Sequence, residues 1–170
     1  KPQIPGIIFG GDYFPEQWPK EIWQEDIRLM KKANVNMVSI ALFTWVLLQP
    51  DEDTYTFDWL DNVMDMLAEN DIYACLGTST AAPPVWLSHK YDDVQPVQES
   101  GAKIDYGHRQ AYCVNSPSYR KFMRRLTEKM AGRYKNHKAL ALWHINNEYG
   151  NKNGICFCKT CEKLFQQWIK

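Results

Sequence analysis

No apolar run in this chain approaches the ~20 residues that a membrane-crossing helix needs. Charge of one sign is missing as well. The 20 Lys and Arg balance the 20 Asp and Glu, which excludes the electrostatic footprint of a protein that binds nucleic acid or an anionic membrane. There is no initiator Met, and the opening KPQIPGIIFGG lacks the charged-then-apolar layout of a signal peptide. The expected location is the cytoplasm, with secretion left open if the natural N-terminus has been trimmed. No internal repeat, low-complexity stretch or linker interrupts the 170 residues, a length that suits one domain. A disulfide framework is not expected either. Five cysteines are an odd number, and a chain long enough to bury a core needs no staples, so they point to a reducing compartment or a metal.

What is present is an alternation. Apolar runs at 6–11 (GIIFGG), 36–43 (NMVSIALF), 72–77 (IYACLG) and 139–145 (ALALWHI) predict four buried strands. Between them lie helical patterns. One runs from about Lys20 to Ala33, and a second carries Leu60, Val63, Met64 and Leu67 at the spacing of one buried face. A third carries Tyr119, Phe122, Met123, Leu126 and Met130, preceded by Ser116-Pro117 as N-cap and first helical residue. A fourth begins with Cys161, Leu164, Phe165 and Trp168. Continuous apolar strands separated by helices imply an α/β fold with parallel strands covered by helices. A nucleotide-binding doubly wound sheet is disfavoured, because the turn after the first run, GGDYFPEQWP, is bulky where a phosphate loop is glycine-rich. The alternative, a (β/α)8 TIM barrel, needs eight units and about 250 residues. The expectation is therefore that residues 1–170 form the N-terminal half of a barrel, about its first four β/α units, ending inside the fourth helix.

In such a barrel chemistry collects where strands end. The ends here are Asp12-Tyr13, Thr44-Trp45, Thr78-Ser79-Thr80 and Asn146-Asn147-Glu148. Thr44 and Ser79 read as the ordinary return of polarity. Glu148, set against ALALWHI, reads as a partly desolvated carboxylate suited to general acid work. Tyr13, Trp45 and Trp86 lie in loops on that face and suggest rings for the apolar side of a sugar.

The stretch WHINNEYG resembles the acid/base motif of retaining glycosidases built on (β/α) barrels. Together with GGDYFPEQWP, TSTAAPPVWL and HRQAYCVNSPSYR, it makes essentially all 170 residues similar to glycoside hydrolase family 42, the β-galactosidases. Phe14, before Pro15, departs from that resemblance, which leads one to expect a polar residue there. The resemblance implies a retaining exo-β-galactosidase acting on terminal β-D-galactosyl groups, with Glu148 as acid/base, Asn147 on the sugar 2-hydroxyl and Arg109 as a second sugar contact. It places the nucleophilic Glu at the end of a seventh strand, beyond Lys170. The 170 residues alone are then expected to be inactive, since neither Asp12 nor Glu16 sits where a nucleophile belongs. Homotrimers are common in the family.

The spacing C-x-C-x-x-C of Cys156, Cys158 and Cys161 suits three ligands of a tetrahedral zinc site. Cys75, within a strand, reads as a small buried hydrophobe, and Cys113, in the long third loop, is the better fourth ligand. Metal-bearing members of the family match these four positions. Four thiolates leave no open coordination, so the zinc is expected to be structural, holding the Arg109 loop against the catalytic strand. His108 is expected to orient that loop, and His144 to be a core histidine. A β-glucosidase or α-L-arabinopyranosidase is the near alternative. A non-catalytic zinc-containing binding module is the alternative should the chain be complete.

Overall fold

The computed structural model describes residues 6–149 and 154–170. Gly150 of the WHINNEYG motif, and residues 151–153 leading to the cysteines, lie outside the described residues. Three strands form one parallel sheet in sequence order: β1 (Met37–Ile40), β2 (Tyr73–Gly77) and β3 (Leu140–His144). Ser39 stands opposite Cys75, and Cys75 opposite Leu142. The helices are α1 (Lys20–Lys32), the single turn α2 (Trp45–Leu48), α3 (Asp58–Glu69), the short α4 (Val85–Lys90), α5 (Pro117–Tyr134) and α6 (Lys159–Trp168).

The helical stripes behave as their periodicity requires. Leu60, Val63, Met64 and Leu67 of α3 are buried, as are Tyr119, Phe122, Leu126 and Met130 of α5, with Met123 packed at their edge. They cover Val38, Ile40, Ala74, Leu76 and Leu140 on one face of the sheet. The other face is not covered: Met37, Ser39, Tyr73 and Cys75 are half-buried and Leu142 is 47% exposed. Strands expected to be buried on two sides are thus buried on one. The stripe of α6 likewise has no cover among the described residues, leaving Leu164, Phe165 and Trp168 exposed.

The run at 6–11 is a correction to the predicted buried strand. It follows β1, with Asn36 N–H donating to the Phe9 carbonyl (3.0 Å), Ser39 N–H to Gly11 (3.0 Å) and Tyr13 N–H to Ser39 (2.8 Å). Only Asp12 forms a strand bridge, to Ser39, and Ile7, Ile8 and Phe9 are exposed. The physical reason is that, among the described residues, the segment has hydrogen bonds on one side only and nothing packed beyond it, so it has no surface on which to bury these side chains. Its approach to β1 is close: a side chain on Gly10 would meet the Met37 carbonyl at 1.7 Å.

Each strand leaves the sheet through a left-handed residue: Ala41 after β1, Ser79 after β2 and Asn146 after β3, with φ of 57°, 60° and 60°. Hydroxyl groups stitch these exits together. Ser79 Oγ donates to the Ala41 carbonyl (2.5 Å) and lies 3.0 Å from Thr44 Oγ1, while Thr78 Oγ1 accepts from Asn146 N–H (3.0 Å). Thr44 and Ser79 are therefore fully buried tie points, not the point where exposed polarity resumes.

The N-cap of α5 behaves as predicted. Ser116 Oγ accepts from Tyr119 N–H (3.0 Å) and donates to Asp93 Oδ2 (2.5 Å), which also accepts from Ser118 N–H (3.0 Å). Burial alone would raise the Asp93 carboxyl, but these hydrogen bonds outweigh it and hold the group below the usual carboxylate range. A carboxyl depressed in the folded state contributes stability that is present above its unfolded pKa, about 3.9, and lost as pH falls through the folded value. Asp93→Asn is therefore expected to lower the urea midpoint at pH 7, and the gap to the parent protein should close below about pH 4. A gap independent of pH would show that the carboxylate charge plays no part.

Candidate active site and thiolate centre

The exit of β3 carries Asn146, Asn147 and Glu148, and the long loop between α4 and α5 carries Arg109 and Cys113. The two segments meet. Arg109 Nη1 lies 3.7 Å from Glu148 Oε2. The two side chains are 57% and 54% exposed, so the pairing orients more than it stabilises. The burial expected of Glu148 is not observed, because the run that precedes it is covered by helices on one face only. The guanidinium also lies over the Phe43 ring at 5.1 Å, and Phe43 stacks on Phe14 at 6.2 Å.

Asn147 is held by its neighbours. Its N–H donates to Asn146 Oδ1 (2.6 Å) and its carbonyl accepts from Gln110 Nε2 (2.5 Å). Its own Nδ2 is buried and has no hydrogen-bond partner among the described residues. Asn146 is anchored below, where its Nδ2 donates to Tyr112 Oη (2.8 Å), and Tyr112 lies flat on Tyr119 at 4.0 Å. Burial, reinforced by Tyr112, pushes the Tyr119 phenol far above its ordinary range, so it stays a neutral donor to the Thr80 carbonyl (2.9 Å).

The expected sugar platform is a correction. Trp45 is fully buried in α2, with Nε1 donating to Gln49 Oε1 (2.9 Å), and Tyr13 is buried with its hydroxyl on Asp26 (3.0 Å). Trp86 packs edge-on against Phe122 at 5.2 Å. These rings seal the top of the core because their polar atoms find partners there and their bodies exclude water. Phe43 and Phe14 are the rings beside Arg109. Phe43 is the last residue of the second apolar run, so it reads in the sequence as part of a strand.

The four cysteines converge. The sulfurs of Cys113, Cys156, Cys158 and Cys161 all lie within 4.8 Å of one another. Cys113 Sγ is 3.3 Å from Cys161 Sγ and 3.8 Å from Cys158 Sγ. Zinc–sulfur bonds of about 2.3 Å in a tetrahedron separate the sulfurs by about 3.8 Å, so the donor set fits that ion. Cys158 is the N-cap of α6 and accepts from Cys161 N–H (3.4 Å). Burial raises its thiol, but hydrogen bonds from that amide and the neighbouring cysteines outweigh this and lower it. Val97 N–H donates to Cys156 Sγ (3.3 Å) and Asn115 Nδ2 to Cys161 Sγ (3.3 Å), the outer contacts that orient thiolate ligands. Cys75 is half-buried and stands apart, and neither His108 nor His144 joins the group. His144 is half-buried on the open face of the sheet, not in the core.

A family model described as beta-galactosidase, glycoside hydrolase family 42, matches residues 12–170. The chain belongs to glycoside hydrolase family 42. Within that family it is 56% identical to a beta-galactosidase of Heyndrickxia coagulans over 96% of this chain and 25% of that protein. It is 49% identical to one from a Planococcus species over 98% and 24%. The crystal structure of beta-galactosidase from Bacillus circulans sp. alkalophilus superposes with a TM-score of 0.93 at 44% identity, over 98% of this chain and 24% of that one. The chain thus spans about a quarter of the length of its family 42 relatives. Its α/β architecture with a parallel sheet is that of a partial (β/α)8 barrel. Among the described residues no helix is long and apolar enough to cross a membrane.

Proposed function

We propose that residues 1–170 are the first β/α units of the catalytic barrel of a retaining exo-β-galactosidase, with Glu148 as acid/base. The observation that carries this reading is the exit of β3, where a carboxylate 3.7 Å from Arg109 adjoins Asn147, whose carbonyl is held by Gln110. In the first step a nucleophilic carboxylate outside these residues attacks the anomeric carbon. The bond to the leaving oxygen breaks as Glu148 transfers its proton to that oxygen. In the second step Glu148, now a carboxylate, takes a proton from water, whose oxygen attacks the anomeric carbon and releases the nucleophile. Asn147 Nδ2 serves as donor to the sugar 2-hydroxyl and Arg109 as a second polar contact. The open face of the sheet and the bare stripe of α6 are the surfaces that further β/α units would cover.

Cys113, Cys156, Cys158 and Cys161 would hold a structural zinc ion, whose role is to join the Arg109 loop to the segment after Glu148. A cytoplasmic location belongs to this reading. The homotrimer belongs to the same reading, and a monomeric mass in solution would remove it. The test of the reaction is the first-formed sugar when the complete polypeptide cleaves p-nitrophenyl β-D-galactoside. Proton NMR is expected to show β-galactose first, relaxing to the anomeric mixture. Early α-galactose would mean inversion and sink the mechanism.

A further inference from the structure

Gln110 lies beside the proposed substrate contact Arg109, is 7% exposed, and adopts a left-handed conformation with φ of 63°. That conformation is uncommon for a residue other than glycine or asparagine and persists only where the surroundings enforce it. Here the Gln110 N–H donates to the Ala81 carbonyl (2.6 Å), which fixes the residue to the exit of β2. Its side chain then crosses to the exit of β3, where Nε2 donates to the carbonyls of Asn147 (2.5 Å) and Glu148. Those carbonyls belong to an irregular turn beyond the end of β3, with Asn146 at φ 60° and Glu148 at φ 46°. One amide group therefore sets the main chain from which the Glu148 carboxyl projects, while the adjoining Arg109 faces the carboxylate itself. The same loop continues to Cys113 and the thiolate cluster.

We infer that Gln110 is a positioning residue for the acid/base, fixing the direction of the Glu148 side chain through its backbone carbonyl. This rests on the reading of Glu148 as the proton donor. Misplacing a proton donor by about 1 Å costs on the order of 100-fold, and it costs only where the leaving group needs the proton. Gln110→Met keeps the bulk and removes the donor. In the complete polypeptide it is expected to lower kcat/KM for lactose about 10- to 100-fold. For 2,4-dinitrophenyl β-D-galactoside, whose phenolate leaves unaided, the change is expected to stay within about 3-fold. Gln110→Leu, smaller and likewise without a donor, is expected to show the same dependence on leaving group and serves if the Met variant does not fold. An equal loss on the two substrates would assign Gln110 to structure alone, and no loss on either would remove it from the site; each result overturns the inference. Glu148→Ala is measured in parallel. If it shows the leaving-group dependence and Gln110→Met does not, only the role of Gln110 falls. If Glu148→Ala does not show it, the proton donor itself has been misassigned.

Discussion

Glu148→Ala in the complete polypeptide is expected to lower kcat/KM for lactose by about 10²- to 10⁴-fold, the usual worth of a positioned proton donor. The argument is one of charge. An alkoxide is a poor leaving group and must be protonated as the glycosidic bond breaks, and the carboxyl proposed to supply the proton is that of Glu148 at the exit of β3, 3.7 Å from Arg109. Small anions such as azide need no general base to attack the covalent intermediate. Adding azide is therefore expected to accelerate the Glu148→Ala variant on activated galactosides and to leave the parent enzyme unchanged. Loss of all activity on activated and unactivated substrates alike, with no response to azide, would indicate a different role for the residue.

Zinc removal is expected to have the largest effect on stability. A ligand present at a thousandfold excess over its Kd stabilises the folded state by about 4 kcal/mol, and each kcal/mol is worth about 2–4 °C in a domain of 150–250 residues. Stripping the metal with a strong chelator is thus expected to lower the unfolding midpoint by about 8–16 °C. Cys113→Ser should behave similarly and reduce bound zinc from one ion per chain to a substoichiometric amount. Cys113 is the informative position, since it is the one proposed ligand outside the 156–161 cluster and its loss would cut the proposed tie between two loops. Burial raises its thiol well above the ordinary range, and a bound zinc ion as proposed would favour the thiolate there. A purified protein without zinc, or a Cys113→Ser midpoint equal to the parent's, would contradict the assignment.

The longer helices α1, α3, α5 and α6 were legible in the sequence because each follows from a local rule, whereas the short α2 and α4 were not. A 3.6-residue period identified the faces of α3 and α5, Ser116-Pro117 marked the start of α5, and cysteine spacing gathered three of the four thiols. Glu148, Asn147 and Arg109 came from a family resemblance, and the structure brings them to one place. What was not legible depends on partners distant in sequence. Trp45 looked like a loop ring because nothing local says that Tyr119, far along the chain, packs against it. The run at 6–11 looked buried because its composition is apolar, yet burial needs a neighbour on its outer side. Gln110 carries no local signature, since its side-chain hydrogen bonds run to residues 37 and 38 positions away. Ser79 and Thr44 were passed over for the same reason: a hydroxyl at a strand end has no signature until the adjoining strand exit is in place.

The most direct test of Glu148 as acid/base is the anomeric configuration of the galactosyl azide that Glu148→Ala forms from an activated β-galactoside. With the nucleophile intact, azide displaces it from the covalent intermediate and completes a second inversion, so the product is expected to be β-galactosyl azide. The α anomer would mean that azide has taken the place of a missing nucleophile, and Glu148 would then be the residue that attacks the sugar instead of the one that protonates its leaving group.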